Sequence, residues 1–464
     1  MGSNYSRIKI LYKSLVIFVA IVLFFIANNI SSKEYVNTMD KEISVKRETR
    51  ESFAAPIPSL DLSKMRLFTG GRHLFRRSWT PAPSSVKSLD GLGPVFNRVS
   101  CSGCHVKDGR GRPPKEGSKF RSMVIKLSRT EKGEAYPDPN YGYQLNDKSI
   151  LGVPYEGKAT INYSLIDQKF DDGTTMKLSA PKYSFHSLSF GELHENTKSS
   201  GRVAPVVFGL GLIEAIKEKD ILKNADPKDI DKDGISGRPH KIIDVPSKNI
   251  MVGKFGWKAT RATLLHHITG AASQDMGLTS NIFPEKNCME IQKACLEQID
   301  GGNPEVSDAQ VERLLVYMQT LAPPRQRNGA SEDILYGQSM FKEIGCENCH
   351  TPTYTTGTHP KHPELSNRII KPYSDFLLHN MGKGLDDGVN EGEAKSYEWK
   401  TPPLWGIGLV KIVNKHTRFL HDGRAKSIEE AILWHEGEGL EAKNNYMSLS
   451  LKNRKKLLKF LNSL

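Results

Sequence analysis

The sequence predicts a mainly α-helical protein made of two repeated units, the first of them enlarged by a loop-rich insertion with a few short strands. The pentapeptide C-x-x-C-H occurs twice, from Cys101 to His105 and from Cys346 to His350, and similar helical segments flank each copy. Between the copies, residues 120–250 are rich in Gly, Pro, Tyr and Ser and contain short β-like runs such as "KATINYSLI". A chain of 464 residues is long enough for two or three domains.

The composition is that of a globular protein. Hydrophobic residues make up 38% of the chain and charged residues 25%, which excludes a polytopic membrane protein. The formal net charge is +13, and a basic surface can bind nucleic acid, anionic lipid or an acidic protein. Because the chain has no basic-aromatic stripe and no DNA-reading motif, we expect no nucleic-acid partner.

The first 32 residues predict a signal sequence or a membrane anchor. Basic residues at positions 7, 9 and 13 precede an uncharged run of 19 residues, from Ser14 to Ser32, as in an export signal. The run is just long enough to span a bilayer, and no small-x-small cleavage site follows it, so both alternatives stay open. Residues 33–60 are polar and charged without clear periodicity, and we expect them to form a linker.

The repeated pentapeptide is the attachment signature of c-type haem. Two thiols at this spacing can reach the two vinyl groups on one porphyrin edge, and the next histidine points its imidazole at the iron. A redox C-x-x-C pair or half of a zinc site would explain one copy only. Two copies on a chain with an export signal therefore predict two covalently attached haem c groups, on Cys101, Cys104 and His105 and on Cys346, Cys349 and His350.

Two further cysteines, Cys288 and Cys295, lie outside the pentapeptides. Outside the cytoplasm, a disulfide is the default for such a pair. A redox-active role for the pair is the alternative.

The repeat extends to the flanking helices. The pattern G-x-x-x-F precedes each pentapeptide, as "GRHLF" from Gly71 and as "GQSMF" from Gly337. Residues 313–321 and 456–464 match in their apolar pattern and have helical spacing, and Ser307 or Asp308 caps the first of these helices. This arrangement resembles the helix pair that brackets a cytochrome c domain. It implies two cytochrome c-like domains, which we place at residues 61–324 and 331–464.

Longer motifs carry a resemblance to a family, among them "LDGLGPVFNRVSCSGCHVKDGRGRPP", "SGRVAPVVFGLGLIEAI" and "FLHDGRAKSIEEAILWHEG". From about Gly70 to its end, the chain resembles the bacterial di-haem oxidoreductases and, more distantly, the di-haem cytochrome c peroxidases. The resemblance implies an exported enzyme, in the periplasm or on the periplasmic face of the inner membrane. It would reduce hydrogen peroxide at the N-terminal haem with electrons delivered through the C-terminal haem. The electron donor would be a small cytochrome or cupredoxin, and the basic surface suits an acidic one.

The resemblance also implies roles for residues near the first haem. Asp275, in "QDMG", stands where the peroxidases have a glutamate that moves a proton between the peroxide oxygens. His267 falls near the place of a distal amide residue, and it could instead bind the iron. Trp257, in "FGWKA", could lie between the haems, and His194 is near the place of a histidine that binds the first iron in the resting peroxidases.

At the second haem, His435 aligns with the methionine that binds the iron in the peroxidases. We therefore predict that His350 and His435 both bind this iron, which would lower its potential relative to a His/Met pair. Met381 and His421 are the competing residues.

A run of aspartates gives a candidate calcium site. Asp229, Asp231 and Asp233 alternate before Gly234, as in the first half of a calcium loop. The twelfth position is His240 and not a bidentate glutamate, so a Ca²⁺ site completed by other ligands and a plain Asp-Gly turn both stay open.

Two other functions remain possible from the sequence. One is a non-enzymatic electron-transfer cytochrome in which both irons have six ligands. The other is an enzyme that matures a partner protein by oxidising it through Trp257 or another aromatic residue. The coordination of the iron at His105 separates the peroxidase from the electron carrier.

Overall fold

The structure is a computed structural model that describes residues 39–464. The predicted signal sequence or anchor at residues 1–32, and the start of the predicted linker, lie outside the described residues. Among residues 39–464, no helix combines the length and the apolar character needed to cross a membrane.

The chain combines helices with many small sheets, at 28% helix and 19% strand. The prediction of a mainly α-helical protein is therefore wrong. The error lies in the insertion, where β-branched and aromatic residues form two strands of 12 residues each instead of a few short ones.

The helices of the described region vary from a single turn to four turns. They are α1 (Leu62–Arg76), α2 (Leu210–Glu214), α3 (Glu218–Leu222), α4 (Leu264–Met276), α5 (Lys293–Leu296), α6 (Asp308–Gln319), α7 (Glu332–Glu343), α8 (Val410–Asn414), α9 (Ile428–Leu433), α10 (Leu440–Ser448) and α11 (Leu451–Ser463). Ser307 caps α6, since its side chain accepts a hydrogen bond from the backbone N–H of Gln310.

The strands pair antiparallel within small sheets. They are β1 (Val95–Phe96), β2 (Met123–Glu131), β3 (Glu134–Tyr136), β4 (Gln144–Leu145), β5 (Lys148–Ser149), β6 (Lys158–Lys169), β7 (Thr175–His186), β8 (Thr197–Val203), β9 (Lys241–Ile243), β10 (Ile250–Val252), β11 (Tyr354–Thr355), β12 (Ile369–Ile370), β13 (Leu378–Asn380) and β14 (Glu398–Lys400). The largest sheet has four strands, in which β2 pairs with β3, β4 and β8.

The helix pairing that the sequence repeat predicts is present in both units. Helix α1 crosses α6 at Gly71, where an added Cβ would lie 1.9 Å from the carbonyl oxygen of Arg313. Helix α7 crosses α11 at Gly337, where it would lie 2.2 Å from the carbonyl oxygen of Lys456. Each glycine therefore lets two helix backbones touch, and Arg313 and Lys456 are the equivalent residues of the two aligned segments.

The predicted linker is folded from residue 39 onwards. Ile43 and Phe53 are completely buried, and Ile57 is 1% exposed, in the core that α1, α4 and α6 share. The backbone also pairs with the end of α6, since the N–H of Ile57 donates to the carbonyl of Thr320 at 2.9 Å. The linker prediction is therefore wrong for residues 39–60. The sequence does not reveal this core segment because its apolar residues follow neither helical nor strand periodicity.

The same core includes residues from the C-terminal unit, among them Trp405, Leu409 and Val413. A second core lies around α7, α9 and α11. Since the first core draws on both halves of the chain, the boundaries at residues 61–324 and 331–464 stay a prediction.

The hairpin of β6 and β7 lies between the two units and packs against a different core with each of its two faces. Ile161 and Tyr183, with their neighbours on one face, pack against the core of the sheet around β2. Leu178 on the other face, and Phe170 at the turn, belong to the second core. The hairpin therefore joins the N-terminal sheet to the C-terminal unit.

Candidate active site

The first pentapeptide begins with a short 3₁₀ turn, Cys101–Gly103, which Cys104 and then His105 follow. The Nδ1 of His105 donates a hydrogen bond to the carbonyl of Pro205 at 2.7 Å, which leaves Nε2 free for a metal. The ring of Phe75, from the G-x-x-x-F pattern, lies 6.1 Å from the His105 ring. Burial lowers the pKa of His105 and keeps it in the neutral form that binds metals.

The second pentapeptide repeats this arrangement. His350 donates from Nδ1 to the carbonyl of Tyr373 at 2.9 Å, and the ring of Phe341 lies 6.0 Å from the His350 ring. Burial lowers the pKa of His350 to about 4. The two sites are therefore equivalent in structure as well as in sequence.

Each pentapeptide opens into a largely apolar cavity, which we call the first cavity (at His105) and the second cavity (at His350). The four cysteines are unpaired, and burial raises the pKa of Cys101, Cys104 and Cys346 to about 12. Two protonated thiols and an imidazole with a free Nε2, beside an apolar cavity, are the donor set that a covalently bound haem requires. The residues therefore fit a haem at each site.

Helix α4 forms the wall of the first cavity that carries the predicted distal residues. His267, Ala271 and Asp275 line this cavity, and their spacing of four residues places them on one face of the helix. The structure thus brings His267 and Asp275 together at the cavity of His105, as the resemblance implies.

The imidazole of His267 makes no hydrogen bond to any residue of the described region. Burial lowers its pKa to about 3, and the nearby charges of Arg261 and His105 add to this effect. The ring of Phe255 lies 5.9 Å away. A neutral imidazole without a hydrogen-bond partner can bind a metal or take a proton.

Residues that do not line the first cavity form hydrogen bonds to Asp275. Its Oδ1 accepts a hydrogen bond from Nε2 of Gln144 at 2.8 Å, and its backbone carbonyl accepts from the N–H of Asn97 at 2.9 Å. Helix α4 ends next to Asp275 at Gly277, where Gly93 approaches so closely that a Cβ on it would lie 2.4 Å from the Gly277 Cα. The segment leading to Cys101 therefore sets the position of the helix end.

One wall separates the two cavities and belongs to both. The residues that line both of them are Arg110, Val206, Trp257, Lys400, Pro402, Pro403 and Trp405. The indole Nε1 of Trp257 donates to the carbonyl of Val203 at 2.9 Å, and the guanidinium of Arg110 lies 5.1 Å from its ring. The structure thus places Trp257 between the two sites, together with Trp405.

The second cavity contains the predicted ligand His435 and both of its competitors, Met381 and His421. His435 donates from Nδ1 to the carbonyl of Ala431 at 2.8 Å, which leaves Nε2 free. His435 is also close enough to His350 to contribute to the lowering of the His350 pKa. The ring of His421 is stacked on Trp399 at 3.6 Å. His435 therefore has the geometry of a ligand, and its role stays a prediction.

His194 does not line the first cavity. Its backbone N–H donates to Asp138, and its Nδ1 accepts a hydrogen bond from the backbone of Asn196 at 3.2 Å. Local turn contacts hold this side chain, so the structure gives no support to His194 as a ligand of the first iron.

The aspartate run forms a turn at the edge of the second cavity. Carboxylate oxygens of Asp226, Asp229 and Asp231 lie within 4.8 Å of one another, while Asp233 lines the second cavity. Backbone N–H groups already donate to several of these carboxylates, among them the N–H of Gly234 to Asp229. The calcium site stays a prediction.

Cys288 and Cys295 form a disulfide.

Sequence reasoning missed a buried group beside the second pentapeptide. His379 lies between Asp375 and Glu438, at 2.7 and 2.6 Å, and its Nδ1 is 3.7 Å from the Sγ of Cys349. Although burial opposes it, the charge of Asp375 raises the pKa of His379 well above its ordinary value. Cys349 lies 30 positions before His379 and Glu438 lies 59 positions after it, so no local pattern indicates the group.

The comparison with protein families agrees with this geometry. The chain matches the family model described as "di-haem oxidoreductase, putative peroxidase" over residues 38–132 and 183–464, which include both pentapeptides and helix α4. No curated protein and no solved structure is similar enough to the chain to add to this assignment. Most of the chain is matched, and the chain therefore belongs to the di-haem oxidoreductase family, whose name implies two haems.

Proposed function

We propose that the protein is a peroxidase that reduces hydrogen peroxide at a haem c attached to Cys101 and Cys104. Electrons would enter through a second haem c, attached to Cys346 and Cys349. The observation that carries the proposal is the face of α4, which presents His267 and Asp275 to the cavity of His105.

The haem bound through His105 would supply the iron at which peroxide is reduced. Asp275 is the group that holds and moves a proton, because cleavage of the O–O bond needs a proton at the departing oxygen. Its Oδ1 is tied to Gln144, and its Oδ2 accepts no hydrogen bond from the described residues. Oδ2 is therefore the oxygen available to take a proton from peroxide and return it to the departing water.

Trp257 and His435 would serve the electron path. Trp257 belongs to the wall that both cavities share, so it offers an aromatic ring on the path between the two haems. His435 and His350 would together hold the second iron, and two histidine ligands would favour a low potential and hence the donation of electrons.

A second candidate function rests on His267. Its imidazole is neutral, has no hydrogen-bond partner in the described region and shares the first cavity with His105. If His267 binds the first iron permanently, no site remains for peroxide, and the protein is an electron-transfer cytochrome.

The test is a stopped-flow experiment on the purified, half-reduced protein mixed with one equivalent of hydrogen peroxide. The proposal predicts a high-spin first haem and oxidation of the second haem within milliseconds. Asp275→Asn should slow this oxidation by roughly 10²–10⁴-fold, the usual contribution of general acid–base catalysis. Glu285→Gln, at an exposed carboxylate, is the matched control and should keep the wild-type rate.

The alternative has its own signature in the same experiment. Two low-spin haems in every redox state, without any reaction with peroxide, contradict the peroxidase and favour the electron carrier. His267→Ala then decides the cause, because it should create a high-spin first haem only if His267 is the ligand.

We also propose a periplasmic location, or one on the periplasmic face of the inner membrane, and an acidic electron donor such as a small cytochrome or cupredoxin. The net charge of +13 supports an acidic donor. The rate constant for oxidation of the donor should then fall steeply as ionic strength rises. Cell fractionation tests the location.

A further inference from the structure

We infer that Gln144 is a positioning residue that holds the Asp275 carboxylate in its working orientation. The inference rests on the proposed function. Gln144 is 4% exposed, and it does not line the first cavity itself. It also lies in the segment between residues 132 and 183 that the family match leaves out. The orientation of Asp275 would thus depend on a segment that lies outside the match to the family model.

The two N–H groups of the Gln144 carboxamide face three acceptor oxygens, two at the end of α4 and one on Asn97. Its Nε2 lies 2.8 Å from Oδ1 of Asp275, 2.8 Å from Oδ1 of Asn97 and 3.1 Å from the carbonyl of Gln274. All three partners are hydrogen-bond acceptors when Asn97 donates through its own Nδ2, which it does to the carbonyl of Leu145 at 2.9 Å. A flipped amide would place Oε1 against three oxygens, so the network determines which atom faces Asp275.

The strand pair behind α4 fixes Gln144 in place. Gln144 pairs with Lys126 of β2, and Lys126 donates from Nζ to Oε1 of Gln274 at 2.8 Å. Adjacent strands therefore hold two consecutive residues of the helix, Gln274 and Asp275. Contacts from rigid strands position a side chain more accurately than contacts from a loop.

The short side chain of Asp275 explains why it needs this support. The resemblance implies a glutamate at this position, and an aspartate reaches less far by one methylene. Since the hydrogen bond from Gln144 occupies Oδ1, the side chain has one orientation, in which Oδ2 is free for the substrate. Without Gln144, the carboxylate could rotate and bind other donors, and Oδ2 would no longer be held for peroxide.

The experiment is a double-mutant cycle on the holoprotein, with Gln144→Leu, Asp275→Asn and the combination of both. Gln144→Leu removes the donor at similar volume. It should slow the peroxide-driven oxidation of the second haem by roughly tenfold to hundredfold, as expected for a hydrogen bond to a charged acceptor. In the Asp275→Asn background, the same change should have no further effect, since Gln144 acts through Asp275. A crystal structure of Gln144→Leu should show Asp275 in a different or divided orientation.

Gln292→Leu is the matched control. Gln292 is a completely buried amide that donates to Glu156 at 2.9 Å and has no contact with Asp275. It should lower the melting temperature and leave the oxidation rate unchanged. Gln144→Glu tests the inference without loss of volume, because it places a carboxylate against Asp275 and should be as slow as Gln144→Leu.

The outcomes separate the two proposals. If Asp275→Asn is slow but Gln144→Leu keeps the wild-type rate, the positioning role is wrong and the proposed function stands. If Gln144→Leu slows both backgrounds equally, its effect is structural and the positioning role is again wrong. If Asp275→Asn itself keeps the wild-type rate, the proposed proton transfer fails, and the role of Gln144 fails with it.

Discussion

Two neighbouring glycines of α1 should respond to the same substitution with opposite signs. A Cβ on Gly71 would lie 1.9 Å from the carbonyl oxygen of Arg313 and 2.7 Å from the Cβ of Tyr317. A Cβ on Gly70 would meet only the flexible side chain of Arg313, at 3.3 Å from Cδ. Gly70→Ala therefore serves as the control for Gly71→Ala within one turn of one helix.

The magnitude follows from two opposing terms. Alanine stabilises a helix by about 1 kcal/mol relative to glycine, and this gain applies to both variants. Overpacking of a core costs about 1–3 kcal/mol, and we take the upper end at Gly71 because a backbone carbonyl cannot rotate away. The unfolding free energy should thus fall by about 2 kcal/mol in Gly71→Ala and rise by up to about 1 kcal/mol in Gly70→Ala.

Thermal unfolding of the holoprotein, followed at the haem absorption band, measures the difference. At about 2–4 °C per kcal/mol, Gly71→Ala should melt roughly 6 to 12 °C below Gly70→Ala. Gly337→Ala should destabilise the second helix pair in the same way, since its Cβ would lie 2.2 Å from a backbone carbonyl. Equal melting temperatures for Gly70→Ala and Gly71→Ala would refute the close helix crossing.

Three further outcomes follow from the site and the hairpin. Trp257→Phe should slow oxidation of the second haem after peroxide addition. It should also cost about 1 kcal/mol of stability through the lost hydrogen bond, and an unchanged rate would exclude this ring from the electron path. His435→Met should raise the potential of the second haem by on the order of 0.1 V, well within the range of about 0.8 V that axial ligands span; a redox titration without a shift would show another ligand. Hydrogen bonds from Thr174 and the guanidinium of Arg454 lower the pKa of Asp172 to about 2. The Asp172 carboxylate should therefore stabilise the hairpin fully above about pH 4, and this stabilisation should be lost as the pH falls through about 2. Hydrogen exchange of the hairpin amides measures this loss, and the Asp172→Asn variant should not show it.

The residues that fit a haem at the two sites are recognisable in the sequence because they are close together in the chain, and their binding of haem stays a prediction. In each pentapeptide, the thiols and the imidazole lie within five consecutive positions, and this spacing, found twice in the chain, indicates c-type haem. The helix pair could be predicted because a G-x-x-x-F pattern precedes each pentapeptide and because residues 313–321 and 456–464 share an apolar pattern. In the structure, the paired helices cross at Gly71 and at Gly337.

The rest of the fold depends on contacts between distant segments. Residues 39–60 look like a linker because their few apolar residues have no periodicity, yet Phe53 packs completely buried against Phe208, with ring centroids 4.5 Å apart. The sequence underestimates the proportion of strand because the segment that contains β6 and β7 is rich in Gly, Pro, Tyr and Ser. Such a composition indicates loops and not two paired strands of 12 residues. Tertiary contacts, and not local preferences, determine both elements.

The candidate site shows the same division. His267 and Asp275 lie two helical turns apart on α4, so the sequence could place them on one face. Gln144 meets Asp275 across 131 positions, and neither segment carries a pattern that indicates the contact. His194 was predicted from its position in a resembling segment, and local turn contacts hold it elsewhere.

The two-sided hairpin affects how the protein can be divided. Asp172 at its turn pairs with Arg454 of α11 at 2.7 Å, and these residues are 282 positions apart. A fragment that ends before α7 would therefore present Phe170 and Leu178 to water, and exposed apolar patches of this kind promote aggregation. Because its partner Arg454 lies on the last helix, the hairpin can reach its final position only after that helix has been synthesised. Contacts between such distant segments also form slowly. The N-terminal haem unit, prepared by itself, would thus be a poor substitute for the whole chain.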